Sequence, residues 1–211
     1  VNYVITFVSV IVAAIICQPH KTLGLNIFLA AFAASFALAS GNIINDINDV
    51  EADKINKPFR PLASEKITIR QAYVLYISSV FLSILISAFL DEVALAIVLF
   101  SILLLFVYSK FFKKIPLIGN IIVAFLTGLV FIFGGVIVEN PIAAIVPAIF
   151  AFLINLIREI VKDMEDVEGD NKARVITFPI KFGSKKSTIL ILFITISLIL
   201  FTLYPFLSKL Y

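Results

Sequence analysis

The chain contains no tryptophan, one cysteine, one histidine and one methionine among its 211 residues. A single Cys17 excludes a disulfide framework within the chain, and with only His20 beside it no Cys/His metal cluster can be assembled. His20 follows Pro19 in a short turn and reads as a surface residue. Charge is also scarce, since Asp, Glu, Lys and Arg make up 15% of the chain. Low-complexity tracts, flexible linkers and nucleic-acid-binding motifs are missing. The basic residues are interleaved with carboxylates and confined to a few connections, which argues against a nucleic-acid partner.

What is abundant is apolar surface. Hydrophobic residues form 61% of the chain and the mean hydropathy is +1.10, well above the roughly one-half apolar content of a soluble domain. About 20 apolar residues cross a bilayer, and seven runs fit, at about 2–18, 23–44, 71–90, 92–109, 117–138, 141–162 and 187–208. The first run reads as a membrane helix rather than a cleaved signal. The expected fold is therefore all-α, a polytopic transmembrane helical bundle forming one domain over 1–211.

The connections after the second, fourth and sixth runs hold five, three and seven of the 17 Lys and Arg. The opposite side has only Lys21 and Lys209, beside Asp91, Glu92 and Glu139. The positive-inside rule makes the lysine-rich side cytoplasmic in a multi-pass cell-membrane protein. Partners suited to this side are anionic headgroups of membrane lipids or a phosphorylated substrate.

Two acidic clusters stand out on that side. Asp46, Asp49 and Asp53 occupy relative positions 0, +3 and +7, with Ser35 and Asn42 on the same helical stripe. Asp163, Asp166 and Asp170 repeat the spacing, and DVEAD at 49–53 matches DVEGD at 166–170. Glu159 takes the place of Asn42 in this alignment, and Asn155 lies one turn earlier. Both clusters emerge on one side of the membrane and are expected to meet. Carboxylates at the end of an apolar helix repel one another, and the bilayer does not solvate them. Magnesium suits such a site, because Mg²⁺ takes one or two carboxylates together with water and substrate phosphate.

Cations able to grip phosphate surround the clusters. They are Lys57 and Arg60, Lys113 and Lys114, and Lys172 and Arg174. Each reads equally well as a positive-inside anchor, except Arg60, which sits in a stiff KPFRP turn. The 21 phenylalanines leave room for a greasy substrate tail, with Phe28, Phe32, Phe36, Phe125, Phe131 and Phe133 as channel candidates, although helix packing and lipid contact explain any one of them better. Small residues, among them Gly128, Gly134 and Gly135, let helices approach closely.

The string Asn45-Asp46-x-x-Asp49-x-x-x-Asp53 followed by KPFRP resembles the first signature of the UbiA-type intramembrane prenyltransferases. Asp163-x-x-Asp166-x-x-Gly169-Asp170 resembles their second signature, and the likeness runs from about Ala30 to Gly183. YSKFFKK at 108–114 is similar to the family's Tyr–Lys element, here Tyr108 and Lys113. In many members the lysine follows the tyrosine by four residues, where this chain has Phe112. NLIREIVKDMEDVEGD at 155–170 is most similar to the archaeal lipid branch, which brings Asn155, Arg158, Glu159 and Lys162 into the expected substrate site.

The resemblance implies a bundle of nine spans around a central cavity open to the cytoplasm. The chain is therefore expected to be incomplete at its ends. It further implies Mg²⁺-dependent transfer of a geranylgeranyl group from its diphosphate to the glycerol hydroxyl of geranylgeranylglyceryl phosphate. Asp46, Asp49, Asp53, Asp163, Asp166 and Asp170 would hold the metal, Tyr108 and Lys113 would assist, and Asn42, Asn45, Lys57, Arg60, Lys114, Lys172 and Arg174 would bind substrate. An aromatic acceptor of the quinone, tocopherol or chlorophyll type is the alternative within the family. A membrane cation transporter is the alternative outside it, but transporter carboxylates sit near the bilayer midplane. The oligomeric state is open.

Overall fold

The computed structural model describes residues 2–19, 22–172 and 175–207, with the side chains of Asn56 and Lys172 outside the description. The expectations on His20, Lys21, Arg174 and Lys209 fall outside it as well. The described residues form nine α-helices and one 3₁₀ turn, and no strand. The helices are α1 (Asn2–Cys17), α2 (Leu25–Asn56), α3 (Ile69–Ala88), α4 (Glu92–Lys110), α5 (Ile118–Ile137), α6 (Ile145–Glu165), α7 (Val167–Lys172), α8 (Phe178–Phe182) and α9 (Ser184–Leu207). The all-α expectation holds.

Five helices, α2, α3, α4, α5 and α9, are long and apolar enough to cross a membrane. Of the seven runs read from the sequence, the other two differ. α1 is apolar but has only 16 residues. α6 begins at Ile145 after a turn at Pro141, four residues later than expected, and its last two turns carry Arg158, Glu159, Lys162 and Asp163. Both long polar connections also contain helix. α2 runs on to Asn56 and takes the first acidic cluster inside a 32-residue helix, about 48 Å long at the usual rise. α7 and α8 occupy much of the second connection.

The helix starts follow local chemistry. Thr68 caps α3 through a capping box, its hydroxyl accepting from the Gln71 N–H while the Gln71 side chain accepts from the Thr68 N–H. Asp91 caps α4 by accepting from the backbone of Val93 and Ala94. The break between α8 and α9 falls at Gly183, whose φ of 84° suits glycine.

The chain divides into two compact units, Val1–Phe111 with Val130–Ala144, and Phe112–Leu129 with Ile145–Tyr211. In the first unit α1, α3 and α4 all pack on α2. Its core joins Val10, Ala30, Ala31, Ala94, Val98 and Phe133. Phe133 is only 2% exposed there, so it packs the helices rather than lining a tail channel. Gly134 lets α5 come against α1, because a Cβ there would stand 2.9 Å from the Val10 carbonyl oxygen. Ser83 ties α3 to α2 by donating to the Ala33 carbonyl at 2.7 Å. In the second unit α6 packs on α9, and α8 packs on both. Ala124, Leu156, Ile160 and Ile194 form its core.

Candidate functional site

In the first unit the acidic cluster lies on the last three turns of α2. A second hydrophobic core, Ile44, Ile47, Leu62 and Ala72, fixes this end of the helix by burying its opposite stripe. Leu62 belongs to the loop after α2, so the same packing folds the KPFRP turn back along the helix. That return delivers Arg60. Its Nη1 donates to Asp46 Oδ1 at 2.9 Å and to Asp53 Oδ2 at 2.7 Å. One guanidinium nitrogen thus spans the two outer carboxylates of the cluster. Asp53 is buried, and Asp46 and Arg60 are partly exposed. Pairs of this kind hold firmly because neither charge is well solvated alone.

Asp49, between them, accepts from Asn45 Nδ2 at 2.9 Å. Behind it, the Asn48 amide donates to Ser109 Oγ at 2.8 Å and the Ser109 hydroxyl leans on Asn45 Oδ1 at 3.5 Å. Ser109 is fully buried, so α4 orients the amide that orients Asp49. Asn48 and Ser109 were not among the residues expected from sequence. Asn42, one turn before the cluster, is exposed, and Lys57 is half-buried at the end of α2. Tyr108 sits on α4 in this unit, half-buried.

The second unit holds the other cluster. Asp163 is on the last full turn of α6, and its Oδ2 accepts from Asn120 Nδ2 at 2.8 Å. Asn120 is buried at the start of α5, directly after the Pro116-Leu-Ile-Gly run. It is the residue sequence reasoning missed here, and a lone amide in an apolar run was its signal. Burial pushes the Asp163 carboxyl up to about 6; the Asn120 bond and Lys162 work against that rise, and Asp170 and Glu159 work with it.

The acids of this cluster do not share one uninterrupted helix. α6 ends at Glu165, Asp166 stands at a bend, and Asp170 belongs to α7. Helical hydrogen bonds still bridge the bend, from the Asp166 N–H to the Lys162 carbonyl and from the Asp170 N–H to the Asp166 carbonyl, both 2.9 Å. Asp166 is exposed, and Asp163 and Asp170 are half-buried. Glu159 is buried and paired with Arg158 at 3.1 Å and Lys162 at 3.6 Å, so its charge is balanced within its own helix. The Asn155 amide nitrogen is buried without a hydrogen-bond partner among the described residues, and so is the Thr177 hydroxyl. Lys113 and Lys114 lie in the 3₁₀ turn Phe112–Lys114, Lys113 half-buried and Lys114 exposed. Tyr108 belongs to the first unit and Lys113 to the second.

Among the described residues no three acidic, histidine or cysteine side chains converge as a ready metal cage. In the first cluster the reason is visible, because Arg60 stands between two of the three carboxylates. The donor set nevertheless fits Mg²⁺. It offers hard oxygen ligands only, and this ion seldom takes an all-protein cage.

A family model described as the UbiA prenyltransferase family matches residues 6–211. Digeranylgeranylglyceryl phosphate synthase of Methanocaldococcus jannaschii is 40% identical over 187 residues, which is 87% of this chain and 64% of that protein. The chain therefore spans just under two thirds of that relative's length. A solved structure described as giving insights into digeranylgeranylglyceryl phosphate synthase in membranes superposes with a TM-score of 0.86. It is 37% identical, and the match covers 100% of this chain and 75% of that one. A UbiA homolog from Archaeoglobus fulgidus, bound to DMAPP and Mg²⁺, shares the fold with a TM-score of 0.77 at 20% identity, over 96% of this chain and 73% of that one. The carboxylate signatures, the helical fold and the match over nearly the whole chain agree, and the chain belongs to the UbiA prenyltransferase family.

Proposed function

We propose that this multi-pass membrane protein transfers a geranylgeranyl group from its diphosphate to the glycerol hydroxyl of geranylgeranylglyceryl phosphate, on the cytoplasmic side, as one prenyltransferase domain. The observation that carries this reading is the first cluster, where three carboxylates share one helical face and already draw a cation between them. The relatives named digeranylgeranylglyceryl phosphate synthase support the choice of acceptor.

Asp46, Asp49 and Asp53 on α2, and Asp163, Asp166 and Asp170 around the α6–α7 bend, are the groups that would hold Mg²⁺. The ion supplies positive charge to the diphosphate as it leaves. Asn45 keeps the Asp49 carboxylate turned for that task, and Asn120 does the same for Asp163. Arg60, which holds Asp46 and Asp53, has a planar fork that would suit the phosphate oxygens where those carboxylates held the metal instead. Lys57, Lys113 and Lys114 add charge that strengthens as the allylic C–O bond opens and the diphosphate departs with the bonding electrons. The acceptor oxygen closes the new ether bond on the allylic carbon. Its proton passes to a carboxylate not committed to metal, in the second cluster. Asn42, Asn155, Arg158, Glu159, Lys162, Lys172 and Arg174 complete the proposed substrate contacts. Apolar helix walls keep water from the cationic carbon.

The test is transfer of labelled geranylgeranyl group by the full-length protein in lipid with Mg²⁺. Geranylgeranylglyceryl phosphate and a phenolic acid compete as acceptors. Product on the glycerol phosphate alone is expected. Product on the phenol would move the protein to an aromatic pathway, and no product on either acceptor would overturn the reading.

A further inference from the structure

The corner between α8 and α9 is built for a ligand that the transfer reaction does not need. Residues 181–186, Lys-Phe-Gly-Ser-Lys-Lys, are all exposed. Lys181 Nζ lies 5.4 Å and Lys186 Nζ 5.8 Å from the centre of the same Phe182 ring. One aromatic ring therefore gathers two ammonium groups, an arrangement that the negative faces of the ring favour. Lys185 adds a third positive charge next to them. From Asn171 to Thr188 the sequence has five basic residues and no acid. Among the described residues, none of Lys181, Lys185 and Lys186 forms an ion pair with a carboxylate. Several cations elsewhere are balanced by carboxylates. Arg60, Arg158 and Lys162 all pair with acids.

The surroundings decide what kind of anion fits. The corner opens directly into α9, which is apolar enough to span a membrane, and only 6% of its most apolar window is buried within the protein. A helix of that length and composition would place its first turn at the headgroup level of a bilayer. Phe182 and Ile176 are exposed beside the lysines, at 41% and 54%. A free phosphate ion has no use for that apolar surface. A phospholipid offers a phosphodiester to the ammonium groups and acyl chains to the helix below.

We propose that Lys181, Lys185 and Lys186, organised on the Phe182 ring, form a binding site for the headgroup of an anionic membrane phospholipid. The site anchors the α8–α9 corner to the bilayer surface. It uses none of the residues of the two acidic clusters and does not depend on the proposed transfer reaction.

The test uses the purified full chain in neutral detergent, with its thermal unfolding midpoint followed as lipid is added. Phosphatidylglycerol is expected to raise the midpoint by roughly 3–5 °C through binding to the folded state. Phosphatidylcholine and inorganic phosphate are expected to leave it nearly unchanged. Replacing all three lysines with Gln should remove most of the rise, and replacing all three with Arg should keep it. Native mass spectrometry gives a second reading, with retained phosphatidylglycerol expected on the parent and Arg proteins and lost from the Gln variant. Should the triple variant unfold, Lys186→Gln alone is expected to halve the retention. Equal shifts with phosphatidylcholine or inorganic phosphate would overturn the proposal. So would undiminished phosphatidylglycerol binding by the Gln variant.

Discussion

The two acidic clusters have the same spacing and different supports. On α2 the three carboxylates stay on one helix, and a cation from the same stretch of chain, Arg60, bridges the outer two at 2.9 and 2.7 Å. At the α6–α7 bend the helix breaks in the middle of the cluster, and the named partner of Asp163 is a neutral amide, Asn120. In the first cluster one guanidinium offsets two of the three carboxylates. In the second, Asp163 leans on an uncharged neighbour, and burial has raised its proton affinity. A repeated spacing can thus keep the positions of its carboxylates while their local supports differ.

Removing one acid from each cluster breaks the comparison most severely. Asp49→Ala and Asp166→Ala should each lower prenyl transfer to below about one hundredth of the parent rate, since each removes charge that the leaving diphosphate needs. Membrane insertion and yield should be unchanged. Near-normal transfer by either variant would show that its cluster does not handle metal.

Arg60→Ala addresses the difference itself. Asp53 is buried and Asp46 half-exposed, so losing their shared partner should destabilise the metal-free protein by about 2 kcal/mol, less than for a fully buried pair. Adding Mg²⁺ should raise the thermal midpoint of this variant more than that of the parent, because the ion no longer competes with a resident guanidinium. A smaller metal response in the variant would mean that Arg60 helps to bind the ion rather than occupying its place.

Much of the first cluster was legible because one period governs it. The 0, +3, +7 spacing and the apolar residues on the opposite stripe describe a single amphipathic helix, and the stiff KPFRP turn marked Arg60. The bend at Asp166 was not legible, since no proline or glycine occupies that position and the spacing across it is unchanged. Asn48, Ser109 and Asn120 were missed for a different reason. Their roles depend on which helix packs beside which, and a polar side chain within an apolar run shows only that some partner must exist. The late start of α6 was hidden in the apolar run after Pro141, where a turn and a helix have the same composition.

Asn120→Ala sharpens the contrast with a smaller effect. It removes the amide that donates to a half-buried carboxylate, a hydrogen bond to a charged group worth about 1.5 kcal/mol. Mn²⁺ binding, followed by its electron spin resonance signal, should weaken by about tenfold if that orientation energy is spent on metal affinity. Asn48→Ala acts one step further from its carboxylate, through Ser109 and Asn45, and should weaken binding less. Equal losses would show that the α4 relay positions Asp49 as firmly as α5 positions Asp163.

The smallest effect is a pH dependence contributed by the second cluster. In the metal-free protein the Asp163 carboxyl is raised to about 6 by burial, against an ordinary value of 3.8. Between those values the folded state holds more protons at this group than the unfolded state does. Stability from Asp163 is therefore fully present below about pH 3.8 and is lost as pH rises through about 6. Partial exposure keeps the change small. Metal-free protein in detergent should accordingly show a slightly lower thermal midpoint at pH 7 than at pH 5, and Asp163→Asn should flatten this slope because its side chain does not titrate. Saturating Mg²⁺ should reverse it, since the ion competes with the proton for the same oxygens and binds better as pH rises. A slope that survives in Asp163→Asn would place the titrating group elsewhere, and the asymmetry between the clusters would then rest on geometry alone.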